Sequence, residues 1–343
     1  MKIGILGFAH GHVGAYCGKW RGDPTMGVEV VAGWDHDPAR AKLAAEQHGI
    51  TIHDSAEKLL ADPDIDAVVI TAETSMHADL TVHAAYAGKA IVLQKPMALT
   101  LEQADAIVDA VTDSGVPFTL AWQMRVDEQN LKMKELVDDG SLGKILMVRR
   151  RHGLNTASFA NFENSWHVDA KYNRDIWADD AAHAIDFIYW LMGMPETVYC
   201  EMSSLMNPKI PNDNGIALYR YADGHLGEVS CSFTCIAGEN TTEIIGEKGV
   251  VVQNYGDGPS ANVPRPEGGI CLKWLLQEEG RWHESDMTIG GHGDRIAGLA
   301  GPLADFLNGR REAIATVAEG RDVLRMTLAC YEASSQGQRV SLQ

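Results

Sequence analysis

Six short, mainly apolar runs punctuate the first 121 residues: Ile3–Leu6, Val28–Asp35, Ile50–His53, Ala67–Thr71, Ala90–Gln94 and Pro117–Ala121. Between them lie helical patterns with recognisable ends. Asp37-Pro38 starts one helix and Gly49 stops it; Ser55 opens another, and a further one ends at Gly88. Thr100-Leu-Glu-Gln103 is a capping box for a helix that ends at Gly115. Runs this short suit strands buried on both faces of a parallel sheet. Their alternation with helices across short loops is the doubly wound α/β pattern. Ligands of such sheets sit at the carboxyl ends of the strands, so residues 7–13, 35–37, 71–77, 94–97 and 122–125 are the places to search.

The first of these turns is the most informative. Gly7-Phe8-Ala9-His10-Gly11-His12 joins the first run to the first helix. It is a partial G-x-G-x-x-G pattern: Gly7 is present, while Ala9 and His12 occupy the other two glycine positions. Strand, glycine turn and helix N-terminus together suit a dinucleotide pyrophosphate, although a glycine turn that binds nothing fits the same letters. The second run ends in Asp35, the position from which an acid reaches the adenosine ribose hydroxyls. Asp37 is the better cap for the following helix, which leaves Asp35 free. His36 and Asp37 follow it, so no cation answers a 2′-phosphate, and NAD is expected rather than NADP.

The 343 residues are enough for two domains, expected at 1–123 and 124–343. A net charge of −18 argues against a nucleic-acid partner, and the only basic run, Arg149-Arg150-Arg151, sits inside an apparent strand. No apolar segment approaches the length of a membrane span. The first residues lead directly into a strand, so no signal peptide is expected. The six cysteines include no C-x-x-C pair. Cys231 and Cys235 sit four apart on an alternating segment, on one sheet face and too far apart to bridge. These features predict a cytoplasmic protein with reduced, packing cysteines.

Beyond a connecting helix at Asp127–Asp139, strand patterns recur at 144–152, 196–206, 215–221, 226–235, 241–246 and 250–254, with Asp223-Gly224 as a hairpin turn. The second half is therefore read as an α+β domain with an open, mainly antiparallel sheet, followed by helices over 295–309 and 319–336 with Gly337 as cap.

The chain resembles the glucose-fructose oxidoreductase / inositol dehydrogenase / rhizopine-catabolism oxidoreductase family over nearly its whole length. Leu93-Gln-Lys-Pro-Met97 resembles the family's Glu-Lys-Pro motif, and Asp179-Asp-Ala-Ala-His183 its Asp-x-x-x-His helix. Glu319-Gly-Arg-Asp-Val through Val340 resembles its last helix and strand, and Ser75-Met-His77 and Gly88-Lys89 also match. There are departures. Gln94 replaces the family's Glu, Glu73 stands where Pro is usual, and Arg174-Asp175 lies where paired glycines often precede the helix.

The resemblance implies an N-terminal Rossmann domain, a substrate domain whose sheet makes a homodimer or homotetramer interface, and NAD-dependent oxidoreduction of a secondary hydroxyl on a sugar, sugar derivative or cyclitol. Relatives that oxidise transiently and cleave a glycoside, or that bind cofactor without turnover, are the alternatives. Cofactor contacts are expected from Gly7, Phe8, Ala9, His10, Gly11, His12, Asp35, Thr71, Ala72, Glu73, His77, Gln94 and Lys95. Hydride transfer from a carbinol needs a positioned donor carbon, a base for the hydroxyl proton and hydrogen bonds that fix the ring. Lys95, at a strand's carboxyl end and stiffened by Pro96, is the expected acid/base, although a surface loop is the commoner place for a lysine. Asp179 and His183 are one helical turn apart, so Asp179 can orient and charge-stabilise the imidazole; Asp180 points about 100° away around the helix. Two such residues without a third make no metal site. Arg125, Trp166 and His167 are further substrate candidates, Lys171 and His292 weaker ones.

Overall fold

A computed structural model describes residues 1–237, 240–257, 269–288 and 291–342, with backbone alone at 254–257 and 292. The first sheet is made of β1 (Lys2–Leu6), β2 (Glu29–Trp34), β3 (Thr51–Ile52), β4 (Ala67–Ile70), β5 (Ala90–Leu93) and β6 (Phe118–Leu120). Its order is β3-β2-β1-β4-β5-β6, and every pairing is parallel. Chain order reverses between β1 and β4, which opens a crevice at their carboxyl ends. The helices between the strands are α1 (His12–Gly22), α2 (Pro38–His48), α3 (Ala56–Leu60), α4 (His77–Tyr86) and α5 (Leu101–Ser114). Their ends follow the sequence signals. Asp37 Oδ1 accepts from the Ala39 and Arg40 amides, Ser55 caps α3, and Gly49 and Gly115 close α2 and α5 in the left-handed region. β4 and β5 are buried at every position, as the uninterrupted apolar runs require.

Two compact units emerge. The first comprises Met1–Val126, Lys171–Asn173 and Arg295–Leu324; the second comprises Asp127–Ala170, Arg174–Asp294 and Arg325–Gln343. This differs from the single boundary expected after residue 123, because two later segments return to the first unit. The reason is packing and hydrogen bonding. The expected 295–309 helix is two, α8 (His292–Gly298) and α9 (Ala300–Leu307); α9 lies against α1, where Trp20 Nε1 donates to Ala300 O at 2.9 Å. Ile314 N donates to Thr119 Oγ1 at 2.9 Å, and Leu120 N donates to Ala315 O at 3.0 Å.

The second unit contains α6 (Glu128–Asp138), β7 (Ile145–Gly153), α7 (Ala182–Met192), β8 (Thr197–Ser203), β9 (Asn214–Arg220), β10 (Leu226–Ser232), β11 (Asn240–Gly246), β12 (Gly249–Asp257), β13 (Leu272–Leu276) and β14 (Arg281–Glu284). The later part of α10 (Val317–Gln336) and β15 (Val340–Ser341) complete it. Sheet order is β14-β13-β12-β11-β7-β10-β9-β8-β15. The sheet is mixed: β7 pairs in parallel with β10 and antiparallel with β11, which sets Arg149 beside Glu228 and Glu243 on one face. The opposite face carries α7 against β7 and β10, burying Ile185, Phe187, Ile188 and Leu191. β10 stops at Ser232, so Cys235 falls beyond the strand; Cys231 is buried, and all six cysteines are free thiols. β13 and β14 have no counterpart in the sequence reading, their strand pattern being too short to stand out.

The crevice depends on Gly7. It has φ +84°, and a Cβ there would lie 2.4 Å from Ala72 Cα at the end of β4. Gly7→Ala should combine left-handed strain with backbone overlap and lose about 2–4 kcal/mol of stability. A urea midpoint within a few tenths molar of the parent would contradict this.

Candidate active site

At the β1–β4 crossover the backbone is held tightly. Gly7 N donates to Trp34 O at 2.7 Å, His10 N to Thr71 O at 3.0 Å, and Thr71 Oγ1 to Gly7 O at 2.5 Å. Gly11 is the N-terminal cap of α1, and a Cβ added there would meet no atom within 4 Å. The start of this eleven-residue helix is therefore open, with room for a pyrophosphate at its N-terminus. His10 is buried and meets His12 edge-on, with ring centres 4.3 Å apart.

Asp35 is not free, contrary to the sequence reading. Its Oδ2 accepts from Phe8 N at 2.7 Å and from Arg40 Nε at 2.7 Å; its Oδ1 accepts from Asp37 N and Arg40 Nη2, each at 2.8 Å. The expectation that no cation stands here fails for a simple reason: Arg40 lies one turn into α2 and folds back over the strand end. Glu73 also takes part. Its Oε1 accepts from Arg40 Nη2 at 2.9 Å, and both its oxygens lie 3.2 Å from His36 Nε2. Burial works against the Arg40 charge, but hydrogen bonding to Asp35 and the Asp35 and Glu73 carboxylates hold its pKa above the ordinary guanidinium value.

Lys95 is 2 % exposed, so it is no surface lysine. It follows β5 directly, and its peptide to Pro96 is cis. Gln94 anchors this corner: its Nε2 lies 3.2 Å from both His12 Nδ1 and the Tyr16 hydroxyl, and its Oε1 accepts from Lys95 N at 3.0 Å. An amide can donate to both neighbours where a carboxylate could only accept, which gives the family departure at 94 a local reason. Burial pushes the Tyr16 phenol well above its ordinary pKa. His77, expected to touch cofactor, buttresses the lysine turn. Its ring nitrogens lie 2.8 Å from Pro96 O and 3.1 Å from Ala72 O.

Arg125, expected at substrate or cofactor, is buried in an ion pair. Its Nη1 donates to Glu319 Oε1 at 2.7 Å and stands 3.4 Å from Ile314 O. Sequence reading could not pair Arg125 with Glu319, which lies 194 residues away. Lys171 lies on the same unit, with its Nζ 3.1 Å from the Tyr172 hydroxyl.

In the second unit, Asp179 falls in a π-helical turn, Trp177–Ala181, that leads into α7. Such turns insert one residue per turn and recur at functional sites. Asp179 and His183 are both buried, and Asp180 is less so, as the helical offset predicts. The expected orienting role of Asp179 takes a different form. Its Oδ2 lies 2.6 Å from His167 Nδ1, while the His183 ring faces that of His152 on β7 with centres 5.7 Å apart. His167 stacks on Trp166 at 3.9 Å and faces Phe162 at 6.1 Å, so an aromatic shelf carries the imidazole that meets Asp179. The His292 side chain lies outside the described residues.

Asp175 anchors the start of this turn. It accepts from Ala178 N at 3.1 Å, Asn212 Nδ2 at 2.7 Å and the Tyr331 hydroxyl. Burial raises its pKa, although these hydrogen bonds and Arg174 work against the shift. An acid three residues before a buried amide is a capping signal in the sequence; His152, Arg40, Asn212 and Tyr331 had no signal, because their partners are distant or on another element. No group of three or more metal-ligating side chains occurs among the described residues.

Residues 1–121 match the family described as oxidoreductases with an NAD-binding Rossmann fold, and residues 130–252 match the GFO/IDH/MocA C-terminal domain. The chain is 27 % identical over 261 residues to scyllo-inositol 2-dehydrogenase (NAD(+)) of Bacillus subtilis, covering 73 % of each chain. It is 28 % identical to levoglucosan dehydrogenase of Pseudarthrobacter phenanthrenivorans, over 68 % of this chain and 66 % of that one. A solved structure titled levoglucosan dehydrogenase, complex with NADH, has the same fold, with a TM-score of 0.84, 21 % identity and coverage of 100 % and 99 %.

The Arg125–Glu319 tie has a measurable signature. Burial raises the Glu319 pKa, but Arg125 and the Thr316 amide and hydroxyl outweigh it and hold the carboxyl below its ordinary 4.5. A depressed folded pKa contributes stability above the unfolded value and loses it as pH falls through the folded one. Arg125→Ala should cost about 3 kcal/mol at pH 7, and the gap from wild type should narrow as urea melts are taken from pH 5 downward. A constant gap across that range would refute the assignment.

Proposed function

For a chain that belongs to the GFO/IDH/MocA family of NAD-binding oxidoreductases, we propose that it oxidises or reduces a secondary alcohol carbon of a cyclitol or sugar. The buried Lys95, held at the carboxyl end of β5 by Gln94 and next to the Pro96 carbonyl that His77 meets, carries this reading. Desolvation disfavours a lysine's charged form, so a lysine in such a place can exchange a proton rather than only carry charge. The names of the inositol and levoglucosan dehydrogenases among its relatives support the substrate class.

NAD, when bound, would supply the hydride acceptor for the carbinol carbon. The open space at Gly11 and the N-terminus of α1 would hold its pyrophosphate. Lys95 Nζ takes the hydroxyl proton as the carbon is oxidised and returns it in the reverse direction. His183 is the second proton-handling group. Asp179 supplies charge to the histidines of the second unit, with His167 as its structural partner. Trp166 and Phe162, stacked about His167, offer apolar ring faces of the kind that suit the C–H faces of a sugar or cyclitol.

The subunit is also proposed to assemble into a homo-oligomer through the sheet face opposite α7. Ile216 and Leu218 are exposed on that side, with Arg149, Glu228 and Glu243 among them. Light scattering should give a multiple of 37.3 kDa, and a monomer at micromolar concentration would overturn the assignment.

The reaction is tested with Lys95→Met, which keeps an unbranched stem of similar volume. Turnover of inositols or aldoses with NAD should fall by about 10²–10⁴-fold while NADH affinity holds within a few-fold. The loss should shrink toward alkaline pH, where hydroxide partly replaces the base. Near-parent turnover would move the proton to His183, and loss of NADH binding would make Lys95 a cofactor anchor. His167→Ala should raise KM more than it lowers kcat if the aromatic shelf binds substrate; an unchanged KM would remove it from the site.

A further inference from the structure

We propose that Glu73 sets the dinucleotide selectivity of this protein by tying Arg40 to Asp35. The tie withholds the guanidinium from a ribose 2′-phosphate and leaves the pocket net negative. The inference rests on the reading of residues 7–13 and 35 as the dinucleotide site.

The observations are local to the first unit. Glu73 is 3 % exposed at the end of β4, the strand next to β1. Its Oε1 receives Arg40 Nη2 at 2.9 Å, the same nitrogen that donates to Asp35 Oδ1 at 2.8 Å. Arg40 Nε completes the pair through Asp35 Oδ2 at 2.7 Å. One guanidinium is thus shared by two carboxylates on two strand ends, with the His36 ring nitrogen 3.3 Å from Arg40 Nη2.

Charge decides what this cluster admits. Two carboxylates against one guanidinium leave a net negative charge while His36 is neutral. A 2′-phosphate adds further negative charge at a distance of a few ångströms, where the interaction is barely screened by salt. Arginine binds phosphate well because its planar fork offers parallel donors, but here Nε and Nη2 are already engaged by carboxylates. Asp35 alone would leave the pair with Arg40 electrically balanced and Nη2 with one partner fewer. Glu73 therefore makes the pocket more negative, adding to the Asp37 carboxylate that also acts on Arg40. The proline usual at this position in the family carries no such charge, so the effect belongs to this chain.

An inert structural tie and a selectivity element differ in one readout. Loss of a structural tie would shift the affinities for both dinucleotides together; loss of a selectivity element would shift their ratio. The full-length protein, its single variants Glu73→Gln and Glu73→Pro, and the double variant Glu73→Gln/Arg40→Leu are titrated separately with NADH and NADPH, following energy transfer from tryptophan, of which the chain has eight. Wild type should bind NADH at least about tenfold more tightly than NADPH. Glu73→Gln and Glu73→Pro should tighten NADPH by about tenfold, the worth of one hydrogen bond between charged groups, with NADH moving by less than about threefold. Adding Arg40→Leu to Glu73→Gln should abolish the gain, because Arg40 is the group set free. The proposal is overturned if NADPH affinity is unchanged in both single variants, if both dinucleotides shift together, or if wild type binds NADPH as tightly as NADH. Wild type binding neither dinucleotide would remove the cofactor site itself and this inference with it, a result distinct from NADH binding with an unmoved ratio.

Discussion

The closeness of two strand ends, β1 at Gly7 and β4 at Ala72, is the constraint on which the first unit's site rests. Only a residue without a Cβ lets the backbone pass 2.4 Å from where that atom would stand. The approach brings Thr71 within reach of the Gly7 carbonyl and His10 within reach of Thr71. It also turns the Phe8 amide toward Asp35, and Glu73, two residues past Thr71, then reaches the same corner from β4. A pocket for an anionic ligand is built from backbone amides and a helix start, and the carboxylates at its edge decide which anion is tolerated.

Several buried polar side chains around this crevice serve as ties. Gln94, His77 and Arg125 each meet protein partners through several atoms, and each fastens one loop to another. Buried polar groups of this kind hold a single arrangement only if they are satisfied. Lys95 stands inside that frame, immobilised at its backbone by Gln94 and Pro96. The second unit follows the same logic. Arg150, 1 % exposed, is held by Thr242, Gln253 and the Phe187 ring beneath α7, and Asp175 fixes the entry to the π turn that carries Asp179. A carboxylate that is buried and yet capped at three points costs stability, which is consistent with its raised pKa. That cost falls where a helix must begin at one defined residue.

The sequence by itself determined the class of fold, the strand ends where chemistry had to be sought, and the identity of the lysine turn. These are properties of neighbouring residues: apolar runs, caps such as Asp37 and Thr100, and the Gln94-Lys95-Pro96 corner. Periodicity over a dozen positions is enough to read them. Tertiary structure alone decided the partners. Arg40 closes on Asp35, Asp179 meets His167 rather than simply serving His183, Arg125 is taken up by Glu319, and β7 and β10 run parallel inside an otherwise antiparallel sheet. Apart from Arg40 and Asp35, which are five residues apart, each of these is set by how the chain returns through space. Glu73 and Arg40 are 33 residues apart, and Arg125 and Glu319 are 194 apart. No local pattern in the chain encodes which side chains such returns bring within 3 Å, because that depends on strand order and helix docking, and the energy that selects them is the cost of leaving a buried charge without a counterpart.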